Sequence, residues 1–98
     1  MLSKHLKKLK KAEKMFKAQI ERKAQKKLTK ISEPYYAKIK TAILNLANNL
    51  RPVGCKKLKG REGYRIRVAD YRIIYEIFDD LLLVNVVDLG HRKDIYAN

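Results

Sequence analysis

Between residues 64 and 78 apolar and polar side chains alternate. Tyr64, Ile66 and Val68 fall on one side of an extended segment, with Arg65 and Arg67 on the other. After Ala69-Asp70, the residues Tyr71, Ile73, Tyr75 and Ile77 share one side, and Arg72, Ile74, Glu76 and Phe78 the other. Side chains alternate faces along a strand, so the pattern predicts two strands joined at Ala69-Asp70. Asp79-Asp80 then reads as a hairpin turn, and Leu81 to Leu89 as a third strand broken by Gly90. The near-continuous apolar run of that strand predicts burial on both faces, or one face under the helices and the other covered by a partner. Upstream, Tyr36, Ile39, Ile43, Leu46 and Leu50 recur at three and four residues, the stripe of an amphipathic helix. Ser32 is its expected N-cap with Pro34 in the first turn, and Asn48-Asn49 with Arg51-Pro52 its end. Phe16, Ala18 and Ile20 alternate as in a strand, yet Phe16, Ile20, Ala24 and Leu28 also fit a helix, so periodicity leaves that stretch open. Pro52 to Glu62 reads as a loop carrying Lys56, Lys57, Lys59 and Arg61. Residues 1–14 set Leu2, Leu6 and Leu9 at helical spacing among lysines.

The length of 98 residues suits one small domain. No apolar run is long enough to cross a bilayer, and no apolar segment follows the lysine-rich start, which argues against a signal peptide. One cysteine, Cys55, cannot close a disulfide within the chain, so a cytoplasmic setting is the expectation. His5, His91 and Cys55 stand apart, and neither a metal nor a cofactor is expected. The formal charge of +14 changes the picture more, because it calls for a polyanionic partner. Residues 1–30 hold twelve lysines and arginines against Glu13 and Glu21, a surplus of ten, which leaves four for the other residues. The basic start and the arginines of the two strands are therefore separate features. If the two strands turn their apolar sides to one core, Arg65, Arg67 and Arg72 converge on the opposite face. One arginine on a sheet is ordinarily solvated; three together form a phosphate-binding surface, because guanidinium groups match phosphate oxygens bidentately.

Lys57-Leu58-Lys59-Gly60, Tyr64-Arg65-Ile66-Arg67-Val68, Asp70-Tyr71-Arg72-Ile73-Ile74-Tyr75, Gly90-His91-Arg92 and Asp94-Ile95-Tyr96 follow one another in an order and spacing that resembles the RelE/ParE toxin superfamily of bacterial toxin–antitoxin systems. The resemblance covers residues 16 to 96. It implies an α+β fold with two N-terminal helices on one face of a mostly antiparallel four-stranded sheet, in the order β-α-α-β-β-β. It also decides the open stretch as a strand followed by a short helix over residues 23–30. The domain then spans residues 15–98, with residues 1–14 as a basic extension and Met15 as an alternative start.

Carried across motif by motif, the resemblance to the RelE branch implies a ribosome-dependent messenger-RNA endonuclease that attacks through the 2′-hydroxyl and leaves a cyclic phosphate. Such a reaction needs a base, stabilised phosphorane charge and a proton for the 5′-oxygen. The resemblance places basic residues at Arg65 and Arg67, the phosphate-stabilising arginine at Arg72, another near the leaving group at Arg92, and an orienting tyrosine at Tyr96. The family has lysines where this chain has Arg65 and Arg67. Arginine stays charged, with a pKa above about 12, so both fit as clamps and not as bases. Proton transfer then falls to His91, whose intrinsic pKa of about 6.5 suits it, to Tyr96, to Glu76 or to a ribosomal group. For His91 a packed turn residue is the competing role, and for Glu76 a salt bridge to Arg72. Lys56, Lys57, Lys59 and Arg61 are candidate RNA-backbone contacts. The implied partners are a cognate antitoxin, messenger RNA and the ribosome. Two alternatives stand beside this: a ParE-like toxin acting on DNA gyrase, and a non-catalytic basic RNA-binding domain.

Overall fold

In the computed structural model, which describes residues 16–91 and 93, the chain runs through β1 (Lys17–Ile20), α1 (Arg22–Thr29), α2 (Tyr35–Leu46), β2 (Lys56–Lys57), β3 (Tyr64–Val68), β4 (Tyr71–Phe78) and β5 (Leu83–His91). The strands form one sheet in the order β1-β5-β4-β3-β2. Every neighbouring pair is antiparallel except β1 and β5, which run parallel with Lys17 opposite Leu83 and Ile20 opposite Val86. Both helices lie on the face that carries the apolar side of the alternation. Ala24 and Leu28 of α1, and Ile39, Ile43 and Leu46 of α2, close a core over Ile66, Ile73, Tyr75, Val84, Val86 and Leu89. The α+β class holds, with one strand more than expected.

The extra strand is β2, inside the expected loop. Lys56 pairs with Arg65 and Lys57 with Tyr64. Two exposed lysines carry no strand signal of their own. The pairing is held from outside: the Leu58 N–H donates to the Gly63 carbonyl at 3.0 Å, and the Leu58 side chain is buried against Ile74, with Val87 beside them. Gly63 permits this approach. Its φ is +118°, and a Cβ there would stand 3.0 Å from the Tyr75 carbonyl oxygen.

Three boundaries differ from expectation. Ser32 does not cap α2. Its carbonyl accepts the N–H groups of Tyr35 and Tyr36 at 3.1 Å, and Glu33 Oε1 accepts from Ala37 N–H at 3.0 Å, so the turn before the helix does the capping. The helix stops at Leu46, before Leu50. The backbone leaves the helix there, and the Leu50 carbonyl accepts the Tyr75 hydroxyl at 2.8 Å. Between β4 and β5, residues Asp79–Leu81 form a 3-10 turn and Leu82 is left-handed (φ 49°), so the strand begins at Leu83 and runs through Gly90 to His91. β5 is an interior strand covered on both faces: Val84, Val86 and Leu89 lie in the main core, while a bulge opposite Ile74/Tyr75 gives Val87 to the small cluster on the other side.

Among the described residues, no helix is long and apolar enough to cross a membrane. The basic extension, the alternative start at Met15, Arg92 and Tyr96 lie outside the described residues.

Candidate active site

The face of the sheet away from the helices carries the arginines. Cross-strand partners share a face, and the register fixes the rows. Arg67 stands directly opposite Arg72, and Arg72 opposite Gly90. The next row holds Lys56, Arg65, Ile74 and Asp88 in order across β2, β3, β4 and β5. Three arginines are therefore gathered where the alternation placed them, and Lys56 joins them from β2.

Arg67 and Arg72 are like charges directly opposite each other across the strand pair, a placement in which the two repel. Arg65 adds to it. Its Nε is buried and has no hydrogen-bond partner among the described residues. Burial, then the positive neighbours Arg67 and Arg72, pull the Arg65 guanidinium below its ordinary pKa. An anion seated among these groups would relieve the repulsion and take the unused donor. Gly90, the partner of Arg72 on β5, contributes no side chain of its own at that place. Expected to break the strand, Gly90 instead lies within it. A glycine inside a strand commonly marks a close approach, and that was the available signal.

The other candidates separate. Lys57 faces the opposite way from Lys56, in the row of Tyr64 and Tyr75. Lys59 and Arg61 are exposed in the turn between β2 and β3, beyond the arginine rows. Glu76 lies on the arginine face four residues along the strand from Arg72, with the two Cα atoms about 13 Å apart. Its cross-strand partner is Asn85, which donates to Glu21 Oε2 at 2.7 Å and accepts from Gln19 Nε2 at 3.1 Å. His91 is opposite Tyr71, one step out of phase with Arg72. Its ring stands edge-on to the Tyr71 ring at 5.6 Å, and Tyr71 lies 5.7 Å from Tyr35. His91 Nδ1 accepts the Lys93 N–H at 3.3 Å, so a neutral ring carries its proton on Nε2. Among the described residues no group of histidine, cysteine, aspartate and glutamate side chains could hold a metal.

A cleft of about 600 Å³ opens at the outer edge of β3, lined by Ile66, Arg67 and Val68 against Leu46, Asn49 and Val53. Arg67 thus borders both the arginine row and this cleft.

The model of one protein family, the ParE toxin of the type II toxin–antitoxin system parDE, matches residues 3–96. No curated protein sequence matches the chain significantly. Similar solved structures include the archaeal RelE–RelB complex from Pyrococcus horikoshii OT3, with a TM-score of 0.72 and 22% identity over 83% of this chain and 99% of that one. The RelB–RelE antitoxin–toxin complex from Methanococcus jannaschii has a TM-score of 0.65 and 29% identity over 80% of this chain and 94% of that one. The intact Escherichia coli RelBE toxin–antitoxin complex gives 0.68 and 22%, over 79% and 95%.

Proposed function

The chain belongs to the ParE toxin family of type II toxin–antitoxin systems, with the fold of RelE toxins, and from that membership we propose that it is a ribosome-dependent messenger-RNA endonuclease of the cytoplasm. The observation that supports this best is the Arg67–Arg72 pair with Arg65 beside it: three positive groups brought together, with an unused buried donor on Arg65, suit a phosphate. The 2′-oxygen attacks the adjacent phosphorus, the bond from phosphorus to the 5′-oxygen breaks, and the products are a 2′,3′-cyclic phosphate and a 5′-hydroxyl. Arg65 and Arg67 clamp the phosphate, Arg72 holds the charge that builds on its oxygens, and Arg92 takes the leaving-group side. Tyr96 orients the substrate. The 2′-hydroxyl proton leaves to Tyr96 or a ribosomal base. His91, from the Tyr71 side, serves the departing oxygen only where the RNA bends round the strand end.

Lys56 belongs to the same phosphate site, whereas Lys57, Lys59 and Arg61 are outer backbone contacts. Lys56→Gln is expected to slow cleavage five- to thirtyfold, from roughly 1–2 kcal/mol for one charge-assisted contact. Lys57→Gln, the same charge change one residue away, is expected to leave the rate within about twofold. Equal effects in a cleavage time course would mean that position on the sheet does not matter.

The partner in the cell is a cognate antitoxin, as in the neighbouring RelE–RelB complexes. A segment rich in Asp and Glu would find its complement on the arginine face. Primer extension on messenger RNA after brief induction tests the activity. Cuts inside translated codons are expected. Because the matching family model is that of ParE, a second reading remains, in which the toxin acts on DNA gyrase; growth arrest without cuts would favour it.

A further inference from the structure

The basic side chains of α1 and its C-terminal cap divide into two rows. Lys23 and Lys27 turn to β5, with Nζ atoms 3.3 Å and 2.7 Å from the carboxylate oxygens of Asp88. Partial burial opposes the charge of Asp88, but hydrogen bonds from Lys27, Lys23 and the Leu89 N–H outweigh it and hold the carboxyl below its usual range. Arg22, Lys26 and Lys30 form the other row, four residues apart and exposed, with no ion pair among the described residues.

That row works against its own helix. Like charges four residues apart repel. Arg22 also stands at the end where the helix dipole favours anions, and no acidic residue occupies the first turn. The three side chains are about 6 Å apart along the axis, the scale on which phosphates follow one another along a nucleic-acid strand. α1 has no aromatic side chain on which an unpaired base could stack, so the row suits a paired backbone better than a single strand. The row lies on α1, whereas Arg67 and Arg72 lie on β3 and β4, so the two rows are carried by different elements.

We propose that Arg22, Lys26 and Lys30 are a second RNA contact, which grips the backbone of a duplex segment while the arginine face holds the strand to be cut. The contact rests on the reading of the chain as an RNA-cutting toxin, but it can be measured apart from cutting. The probe is a fully 2′-O-methylated RNA hairpin, which has no free 2′-hydroxyl to attack, titrated with the full chain by fluorescence anisotropy across a salt series. The variant Arg22→Gln/Lys26→Gln/Lys30→Gln is compared with Lys17→Gln/Lys38→Gln/Lys40→Gln, which removes the same charge elsewhere; circular dichroism shows that both are folded. The helix variant is expected to lose at least about tenfold in affinity, and its log–log salt slope to fall by about three, while the control changes far less. Equal losses in the two variants overturn the proposal, because net charge would then account for binding. Unchanged hairpin binding with lost poly-glutamate binding also overturns it, in favour of an acidic protein partner. A chain that grips the hairpin as expected but makes no cuts in the cell removes the nuclease reading and leaves the contact standing.

Discussion

Cells expressing the Arg72→Ala variant are expected to keep their messenger RNA intact at the codons that the unaltered chain cuts. Arg72 stands between Arg67 and Gly90, the central position of the row. A donor fixed at the point where oxygen charge develops is worth about 10²–10³ in rate. Primer extension is then expected to show no cuts above background at matched induction, and growth to continue. Arg72→Lys separates charge from shape. It keeps the positive charge but not the planar fork, so an intermediate rate means that the fork matters, and full activity means that charge suffices. Both variants are first shown to melt cooperatively. A folded Arg72→Ala variant that still cuts would remove the arginine row from the chemistry.

The largest effect on stability is expected at Tyr75. The ring is fully buried, stacked 5.8 Å from Tyr64, and its hydroxyl donates to the Leu50 carbonyl at 2.8 Å, with Cys55 Sγ at 3.4 Å. Burial, and then the contact with Cys55, raise its pKa well above the ordinary tyrosine value, so the phenol is neutral at any physiological pH. Tyr75→Ala empties this place at a loss of about 3–5 kcal/mol, a large part of what a small domain has. Tyr75→Phe keeps the ring but takes the donor from the Leu50 carbonyl, at roughly 1–3 kcal/mol. Urea titrations of the two variants should give midpoints in that order below the parent. Equal losses would mean that the hydroxyl carries the whole effect, and a phenylalanine variant as stable as the parent would mean that it carries none.

The two central strands and their arginine face were legible because alternation is a local signal and runs unbroken from Tyr64 to Phe78. The stripe of α2 was legible for the same reason, up to the point where tertiary contact took over: no local rule ends the helix at Leu46 so that Leu50 can meet Tyr75. β2 was not legible, because its two lysines become a strand only through Leu58 seated on Ile74, a contact made across the chain. The face of His91 was not legible either. Leu83 to Leu89 is apolar at nearly every position, so it carries no phase, and a bulge at Val87 shifts whatever phase is assumed.

β5 lies inside the sheet, between β1 and β4, although it is the last strand in chain order, and its parallel partner β1 is the first, 66 positions earlier across the Gln19–Asn85 bond. During synthesis the two helices and the β3–β4 hairpin emerge before the strand that joins them to β1. Contacts of such long range close late in folding. A chain interrupted before β5 has neither the Gly90 place beside Arg72 nor a completed floor for its helices. Unfinished molecules are therefore expected to lack a closed core, since Val84, Val86 and Leu89 are still missing.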